Sequence, residues 1–245
     1  QHQEHQQNAQ REHEDSRVAL RCLLVGQPGP LEGQAPRQHL RRERAPEILP
    51  QVQSVTAFLG MVAMPDPTRI PWTINLIDVT WRLARRVGMR MKHTLAVRRP
   101  VEWSPMIQPM IPTPGHGSLP SNHAVESFAI ATVMLGAMMG KNAPNVAKDP
   151  TMAKQLLAHA GRIATNRVIA GVHFPIDNIA GAVLGVQLGR YLLARAGAKV
   201  EVAPASFEGP EAGVDFFWGD IIDAARDAPD APDAPKPIDH TASGV

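Results

Sequence analysis

The chain has 245 residues, of which 44% are hydrophobic, and this is enough for one substantial domain with its own core. The formal net charge of +2 gives no reason to expect a nucleic acid as a partner. The single cysteine, Cys22, excludes an internal disulfide, and the sequence lacks the Cys/His spacing of a zinc site, so we expect no metal ion.

The first 47 residues are rich in Gln, His, Glu, Arg and Pro and show no sustained apolar period. This composition predicts a disordered or non-native leader over residues 1–47. A helical domain is expected to follow over residues 48–197, beginning with a helix near 48–63. The next helix is predicted from about 72 to 95, where apolar residues recur on one face. That face holds Ile77, Trp81, Ala84, Gly88 and Met91.

A proline-rich segment, 100–120, follows that helix. Pro100 disfavours helical backbone at Arg99, so a loop is expected to begin there. Several prolines make the segment stiff and irregular, and irregular loops on a helical scaffold commonly carry functional residues. We therefore look for the active site along this loop and at the helix ends beside it.

Three further helices are predicted, over about 121–139, 150–165 and 175–194. In the last helix, glycines four residues apart allow another helix to approach closely, which predicts a central position in the bundle. These glycines are Gly181, Gly185 and Gly189. No segment shows a convincing strand alternation. The predicted class is therefore all-α, a helical bundle with the active site at helix ends and a Pro-rich loop.

The C-terminal segment, 198–245, repeats Asp-Ala-Pro and is predicted to be a Pro/Ala/Asp-rich tail that builds no core. No signal-peptide pattern opens the sequence, and the most apolar segments are too short for a comfortable membrane span. We therefore expect a soluble domain with no transmembrane span. The compartment stays open, and an extracytoplasmic one is among the options.

Three segments hold charged and polar residues from which an anion site can be built. They are Lys92 through Arg99-Pro100, then Pro120-Ser121-Asn122-His123, then Arg167 with His173 and Asp177. The three cations can converge only around a compensating polyanion, and guanidinium groups match tetrahedral oxyanions. Ser121 is expected at a helix start, where its hydroxyl and the free backbone N–H groups also favour an anion. The pattern predicts a phosphate-shaped site.

The histidines suit phosphoryl transfer at such a site. His173 and Asp177 are four residues apart, so they can meet in a first helical turn. A carboxylate bonded to one ring nitrogen fixes the tautomer and leaves the other nitrogen as nucleophile or ligand. His123 supplies a second imidazole that can protonate the leaving oxygen. Taken singly, each residue also has an ordinary structural interpretation, and the order and spacing favour the functional one.

The pattern Lys-x6-Arg-Pro, Pro-Ser-Gly-His and Ser-Arg-x5-His-x3-Asp is the signature that these segments resemble. It is shared by the type-2 phosphatidic acid phosphatases, the bacterial class A acid phosphatases and the vanadium haloperoxidases. The resemblance covers about residues 70–195. It implies a common oxyanion cradle that serves both phosphate and vanadate. The phosphatase reaction then requires no cofactor and no divalent metal, whereas a haloperoxidase requires vanadate.

The resemblance also implies a role for each residue. His173 would be the nucleophile that forms a phosphohistidine, or the ligand of vanadate, and Asp177 would orient it. His123 would be the general acid toward the leaving group. The remaining groups would hold the equatorial oxygens of the phosphoryl group. They are Lys92, Arg99, Ser121, Arg167 and the backbone N–H of Asn122.

Two positions depart from the family pattern. Asn122 stands where the family usually has Gly, and Asn166 where it usually has Ser. If position 122 requires a positive φ, Asn is the best tolerated residue other than Gly, although its side chain is expected to crowd the oxyanion. Asn166 can keep a polar contact. Neither change removes a charged group. We therefore expect reduced or altered activity and not a complete loss of activity.

Three functions are compatible with these motifs. Arg98, where the haloperoxidase branch tends to have Trp, favours a phosphoric monoester hydrolase acting on a small phosphorylated substrate. His116 lies seven residues before His123, at a position that the bromoperoxidase branch fills with His. This resemblance implies an accessory role for His116 and favours a vanadate-dependent haloperoxidase. A degenerate or truncated oxyanion-binding module is the third hypothesis. The few apolar helices lead us to expect either a homodimer or further N-terminal helices. The substrate itself stays open.

Overall fold

We describe the fold from a computed structural model, which covers residues 40–63, 66, 68–138, 150–200 and 202. These residues form helices and no strand, so the predicted all-α class is confirmed. The helices are α1 (Leu40–Gln51), α2 (Thr56–Ala63), α3 (Pro71–Leu95), α4 (Pro100–Trp103), α5 (Asn122–Met138), α6 (Pro150–Ile169) and α7 (Pro175–Arg195). The leader before residue 40 and nearly all of the predicted tail lie outside the described residues.

The central helix of the bundle is α5, which contacts α2, α3, α6 and α7. Its residues 124–131 are all buried, so it has no solvent face along this stretch. The prediction that placed α7 at the centre is therefore wrong, because α7 leaves residues such as Tyr191 exposed. The glycines of α7 allow a close approach to one neighbouring helix, but the rest of α7 is not buried.

That close contact joins α7 to α5. A Cβ atom on Gly181 would lie 2.7 Å from the carbonyl oxygen of Ser121, and one on Gly185 would lie 2.5 Å from that of Val125. Both distances are shorter than van der Waals contact, so the two backbones meet only because these residues lack side chains. The backbone N–H of Ser121 also donates to the carbonyl of Asp177 at 2.8 Å. The start of α5 is thereby fixed beside the start of α7.

Helix α3 has bounds within one residue of those expected from the sequence, and Ala96, which follows its last residue as the C-cap, has a left-handed φ of 47°. Its buried face includes Ile77, Ala84 and Gly88, as predicted, and continues to Lys92. The assignment of Met91 to that face is wrong, since this side chain is 38% exposed. Four-residue steps from position 84 lead to 88 and 92, so Lys92 takes the place beside the core.

The segment 100–120 is only partly a loop. Arg99 is extended, with φ of −75° and ψ of 156°, as expected before a proline. Pro100 then starts the short helix α4, and a 3₁₀ turn follows at Pro105–Ile107. Proline suits the first turn of a helix because its missing N–H has no helical partner there. The expectation of a continuous irregular loop from residue 100 is therefore corrected.

The N-terminal part of the domain differs most from the prediction. The single helix expected near 48–63 is two helices, α1 and α2, and residues 40–47 of the predicted leader belong to α1. Helix α1 contains two prolines and few apolar residues, so its sequence has no amphipathic pattern. Hydrogen bonds to residues that are distant in the sequence stabilise this helix. The guanidinium group of Arg41 donates to the carbonyls of Ile169 (2.8 Å) and Gln108 (2.7 Å).

In the part of the chain that the structure describes, no helix is both long enough and apolar enough to cross a membrane.

Candidate active site

A cleft of about 210 Å³ opens where the ends of α1, α3 and α5 meet the turns before α4 and α7. Most of the residues predicted for the site line it. They are Lys92, Arg99, His116, Asn122, His123, Arg167 and His173. Ser121 and Asp177 are buried immediately behind this lining. The structure thus brings all of the predicted site residues to one place.

His173 and Asp177 form the most enclosed pair of the site. His173 Nδ1 lies 2.9 Å from Asp177 Oδ2, and the two side chains are almost fully buried. The same carboxylate oxygen accepts from the hydroxyl of Ser118 at 2.5 Å and from the N–H of Phe174 at 3.0 Å. Because the carboxylate accepts, Nδ1 carries the ring proton and Nε2 keeps its lone pair.

The ionisation of this pair follows from its burial. Burial lowers the pKa of His173 to about 3, against the opposing effect of Asp177. Burial alone would raise the pKa of Asp177, but hydrogen bonds from His173, Ser118 and Phe174 hold this pKa below its ordinary value. The pair is therefore a neutral imidazole beside a carboxylate, which is the state that a nucleophilic histidine needs.

Arg99 lies directly against the free nitrogen of His173. Its Nη1 is 2.9 Å from His173 Nε2 and donates to the carbonyl of Val172 at 2.7 Å. Its Nε donates to the carbonyl of His116 at 3.1 Å, and its Nη2 lies 3.1 Å from His116 Nδ1. Protonation of His173 would place two cations in contact, so Arg99 also favours the neutral imidazole. His116 is thus joined to the site by its contacts with Arg99.

Lys92 joins the end of α3 to the proline-rich segment. Its Nζ donates to the carbonyls of Gly117 at 3.1 Å and Ser118 at 2.8 Å. Burial, reinforced by the positive charge of Arg99, lowers the pKa of Lys92 to about 7. A Cβ atom on Gly117 would lie 2.8 Å from the carbonyl oxygen of Lys92. The glycine therefore lets the segment approach α3 and places Ser118 beside Asp177.

Arg167 occupies the opposite wall of the cleft, on α6, and is 1% exposed. Its Nη2 donates to Gln51 Oε1 at 2.8 Å and to the carbonyl of Ile48 at 3.1 Å. Among the described residues, its Nε and Nη1 have no hydrogen-bond partner, and neither has the buried hydroxyl of Ser121. Buried donors without partners are costly, so they mark a place that suits an oxyanion.

His123 stands in the first turn of α5, next to Arg167. Its Nε2 lies 2.9 Å from the carbonyl oxygen of Gln51, so this nitrogen carries the proton of the neutral ring. Burial, with a further contribution from Arg167, lowers the pKa of His123 to about 3. The imidazole is therefore neutral in this arrangement of charges.

Asn122 does not have the backbone geometry that its Gly counterpart suggested. Among the described residues, only Ala96 and Gln108 combine a side chain with a positive φ. The side chain of Asn122 is turned toward α3, where a Cβ atom on Gly88 would lie 2.3 Å from its Oδ1. The expected crowding of the oxyanion is thereby avoided, because Gly88 leaves space for the amide. Asn166 keeps a polar contact, donating to Gln51 Oε1 at 3.1 Å.

Three residues of the site escaped the sequence analysis. Ser118 and Gln51 lie in segments with no periodic pattern, and only the folded chain brings them to Asp177 and Arg167. Glu126 had a visible signal, because it is an acidic residue within an apolar stretch. It is 8% exposed, accepts from Trp81 Nε1 at 3.0 Å, and lines the cleft. Burial raises the pKa of Glu126 to about 7.

Comparison with known proteins gives one family and several named relatives. The sequence profile described as the PAP2 superfamily matches residues 79–200. A decaprenylphosphoryl-5-phosphoribose phosphatase of Mycobacterium tuberculosis is 27% identical over 172 residues, which are 70% of this chain and 84% of that protein. The phosphatase of the same name from Mycolicibacterium smegmatis is 29% identical over 170 residues, or 67% and 78% of the two chains.

Among solved structures, the chain is similar to a transmembrane PAP2 type phosphatidylglycerolphosphate phosphatase from Bacillus subtilis. The superposition has a TM-score of 0.44 and 20% sequence identity, and covers 77% of this chain and 87% of that one.

Proposed function

Because this chain belongs to the PAP2 superfamily, we propose that it is a phosphatase that hydrolyses a phosphoric monoester, with His173 as the nucleophile. The observation that carries the proposal is the fixed tautomer of His173. Its Nδ1–H is bonded to Asp177, and its Nε2 lies in the cleft 2.9 Å from an arginine nitrogen. A phosphoryl group held by that arginine would lie beside the lone pair that attacks it.

The cradle has the charge for a phosphate dianion. Lys92, Arg99 and Arg167 supply cations, and three buried donors lack partners among the described residues: Nε and Nη1 of Arg167 and the hydroxyl of Ser121. An oxyanion would satisfy these donors through charge-assisted hydrogen bonds. The backbone N–H of Asn122 would also donate to an equatorial oxygen of the phosphoryl group, as the family pattern implies.

In the first step, His173 Nε2 attacks phosphorus and the bond from phosphorus to the leaving oxygen breaks. Arg99 Nη1 keeps its bond to the Val172 carbonyl and turns its other N–H toward a phosphoryl oxygen. The imidazole becomes cationic as the phosphorus–nitrogen bond forms, and Asp177 stabilises that charge. His123 donates a proton to the leaving oxygen. A bound dianion raises the pKa of His123, which favours the protonated ring that this step needs.

In the second step, water attacks the phosphohistidine. His123 takes a proton from the water, phosphate leaves, and His173 regains its lone pair. In this proposal, the water takes the side of phosphorus that the leaving group has vacated, so His123 serves both steps. The phosphatase reaction in this proposal uses no metal ion and no cofactor.

The names of the relatives suggest a class of substrate. They are phosphatases of a phosphoribose compound, and a sugar phosphate is a phosphoric monoester with a hydroxylated leaving group. We include small phosphorylated compounds of this kind among the substrates to be tested first.

A second candidate function rests on His116, whose Nδ1 lies 3.1 Å from Arg99 Nη2 in the same cleft. In a vanadate-dependent haloperoxidase, His173 would bind vanadate and the three cations would hold its oxygens. Bound vanadate would supply the activation of peroxide. Arg98 stands against this candidate, since it replaces the Trp of the haloperoxidase branch.

The test is a paired assay on one preparation. Release of phosphate from para-nitrophenyl phosphate and ribose 5-phosphate is measured with and without vanadate. A second portion is loaded with vanadate and given hydrogen peroxide, bromide and a dye. Phosphate release that vanadate blocks supports the phosphatase, whereas vanadate-dependent halogenation that is lost in His116→Ala supports the haloperoxidase. Vanadate binding without either activity would support an oxyanion-binding module.

A further inference from the structure

Helix α1 ends inside the cleft, although it lies outside residues 79–200 that match the family profile. Its last residue, Gln51, is 1% exposed and lines the cleft beside Arg167 and His123. The functional motifs assign no role to this helix.

We propose that Gln51 is a positioning residue that holds Arg167 and His123 in the geometry required for phosphoryl transfer. Its side-chain oxygen accepts from Arg167 Nη2 at 2.8 Å, and its backbone oxygen lies 2.9 Å from His123 Nε2. One residue therefore contacts a cation on α6 and an imidazole on α5. This inference rests on the proposed phosphatase function, because it concerns the same cleft.

The neutral amide is the chemical feature that matters. Its oxygen has two lone pairs, and both are used, by Arg167 and by Asn166 Nδ2 at 3.1 Å. A carboxylate at this position would pair with Arg167 and cancel the charge that attracts phosphate. Glutamine orients the guanidinium group without neutralising it. It also leaves Nε and Nη1 of Arg167 without a partner among the described residues.

The backbone carbonyl of Gln51 has a separate effect on His123. Because it accepts a hydrogen bond, it keeps the proton of the neutral ring on Nε2. It also fixes the plane of the imidazole beside Arg167. A shift at residue 51 therefore changes both the orientation and the acidity of the group that handles the leaving oxygen.

Helix α1 is anchored firmly enough to serve this purpose. Glu47, one turn before Gln51, is bonded to Arg162 and accepts from Asn166 Nδ2 at 3.1 Å. At the start of the helix, Arg41 donates to three backbone carbonyls, those of Ile107, Gln108 and Ile169. These contacts fix the helix against α6 and the proline-rich segment. They favour a positioning role for α1 over that of a segment that leaves the cleft to open it.

The experiment compares Gln51→Leu and Gln51→Glu with the wild type, with Gln155→Leu on the exposed surface of α6 as the matched control. For each protein, kcat and KM with para-nitrophenyl phosphate, the pH profile of kcat, and vanadate affinity by calorimetry are measured. Thermal melting reports the fold. Vanadate affinity is independent of turnover, so it tests Gln51 even if the wild type releases no phosphate.

Gln51→Leu is expected to lower kcat/KM about 10- to 100-fold, the range for a lost hydrogen bond to a charged group. It should also weaken vanadate binding and shift the pH profile. Gln51→Glu should keep the melting temperature and still weaken vanadate binding, because the new carboxylate neutralises Arg167. Gln155→Leu should match the wild type.

Two results would overturn the inference. An increase of kcat/KM in Gln51→Leu would mean that Gln51 obstructs the cleft. Vanadate affinity equal to the wild type in both folded variants would mean that Arg167 needs no partner on α1. If the wild type binds vanadate but has no phosphatase activity, the proposed function fails, while the vanadate comparison still decides the role of Gln51.

Discussion

The two sides of the cleft are constructed differently. The histidine side consists of Lys92, Arg99, Ser118, His173 and Asp177. The arginine side consists of Gln51, Ser121, His123 and Arg167. On the histidine side, the side chains are fixed by hydrogen bonds among α3, the proline-rich segment and the start of α7. On the arginine side, the hydrogen bonds made by the side chains of His123 and Arg167 run to α1.

This difference separates two tasks. In the proposed reaction, the histidine side holds the nucleophile, which needs one tautomer and one orientation. The partners of His173 and Asp177 all lie within the three sequence motifs or next to them. The arginine side has buried donors without partners among the described residues, as a site that receives an anion must have before the anion binds. We therefore expect variants on the histidine side to affect turnover most, and variants on the arginine side to affect oxyanion affinity.

The strongest test of the histidine side is His173→Ala. The variant is expected to lose turnover by about 10⁴-fold or more, because no other group can attack phosphorus in its place. Circular dichroism and thermal melting should show a retained fold. His93→Ala, at the exposed end of α3, is the matched control and should keep full activity. Substantial activity in His173→Ala would contradict the assignment of the nucleophile.

A smaller effect is expected for Asp177→Asn. The amide no longer fixes the proton on Nδ1 and no longer stabilises the cationic imidazole, so kcat should fall about 10²- to 10³-fold. Vanadate affinity, measured by calorimetry, should change much less, because Lys92, Arg99 and Arg167 are intact. Unchanged kinetics would show that Asp177 serves only the first turn of α7.

Glu126 predicts a pH effect on stability. Its pKa rises from 4.5 to about 7 on folding, so the folded state binds the extra proton between these values. The stabilisation is present below pH 4.5 and is lost as pH rises toward 7. Glu126→Gln lacks this titration. Between pH 5 and pH 8, the free energy of unfolding of the variant should therefore rise by on the order of 2 kcal/mol relative to that of the wild type.

The measurement for Glu126 is urea unfolding of both proteins at pH 5 and pH 8. His123 and His173 have lowered pKa values, and their protonation destabilises both proteins equally at acid pH, so it cancels in the difference. A difference between variant and wild type that is the same at both pH values would contradict the raised pKa.

The smallest effect on stability is expected for a substitution at the contact between α5 and α3. In Gly88→Ala, the added Cβ would lie 2.3 Å from Asn122 Oδ1, which should cost about 1 kcal/mol of stability. In the Asn122→Gly background the same change should be neutral or stabilising, since alanine is the better helix former. Asn122→Gly alone should leave turnover unchanged or raise it. Equal costs of Gly88→Ala in both backgrounds, by urea unfolding, would refute this contact.

On each side of the cleft the sequence predicted every residue except one, Ser118 on the histidine side and Gln51 on the arginine side, and both outcomes have physical reasons. His173 lies just before α7 and Asp177 lies in its first turn, four residues later, so their spacing brings them together. Lys92 and Arg99 flank the end of a strongly amphipathic helix. Ser118 could not be found, because its position depends on how the proline-rich segment folds back onto Lys92.

The role of α1 was hidden for a different reason. Helix α1 has two prolines and few apolar residues, so its sequence is similar to that of a polar leader. Hydrogen bonds that Arg41 and Glu47 make with residues more than sixty positions away stabilise it. No local pattern contains that information, and Gln51 was missed with it.

The most direct test of the central claim is to trap the phosphorylated intermediate. Wild-type protein and His173→Ala are mixed with excess para-nitrophenyl phosphate, quenched in alkali, where phosphohistidine survives, and digested for mass spectrometry. We expect a phosphoryl group on the wild-type peptide that contains His173 and none on the variant. Phosphate release by the wild type with no phosphorylated His173, or with the label on another residue, would contradict it.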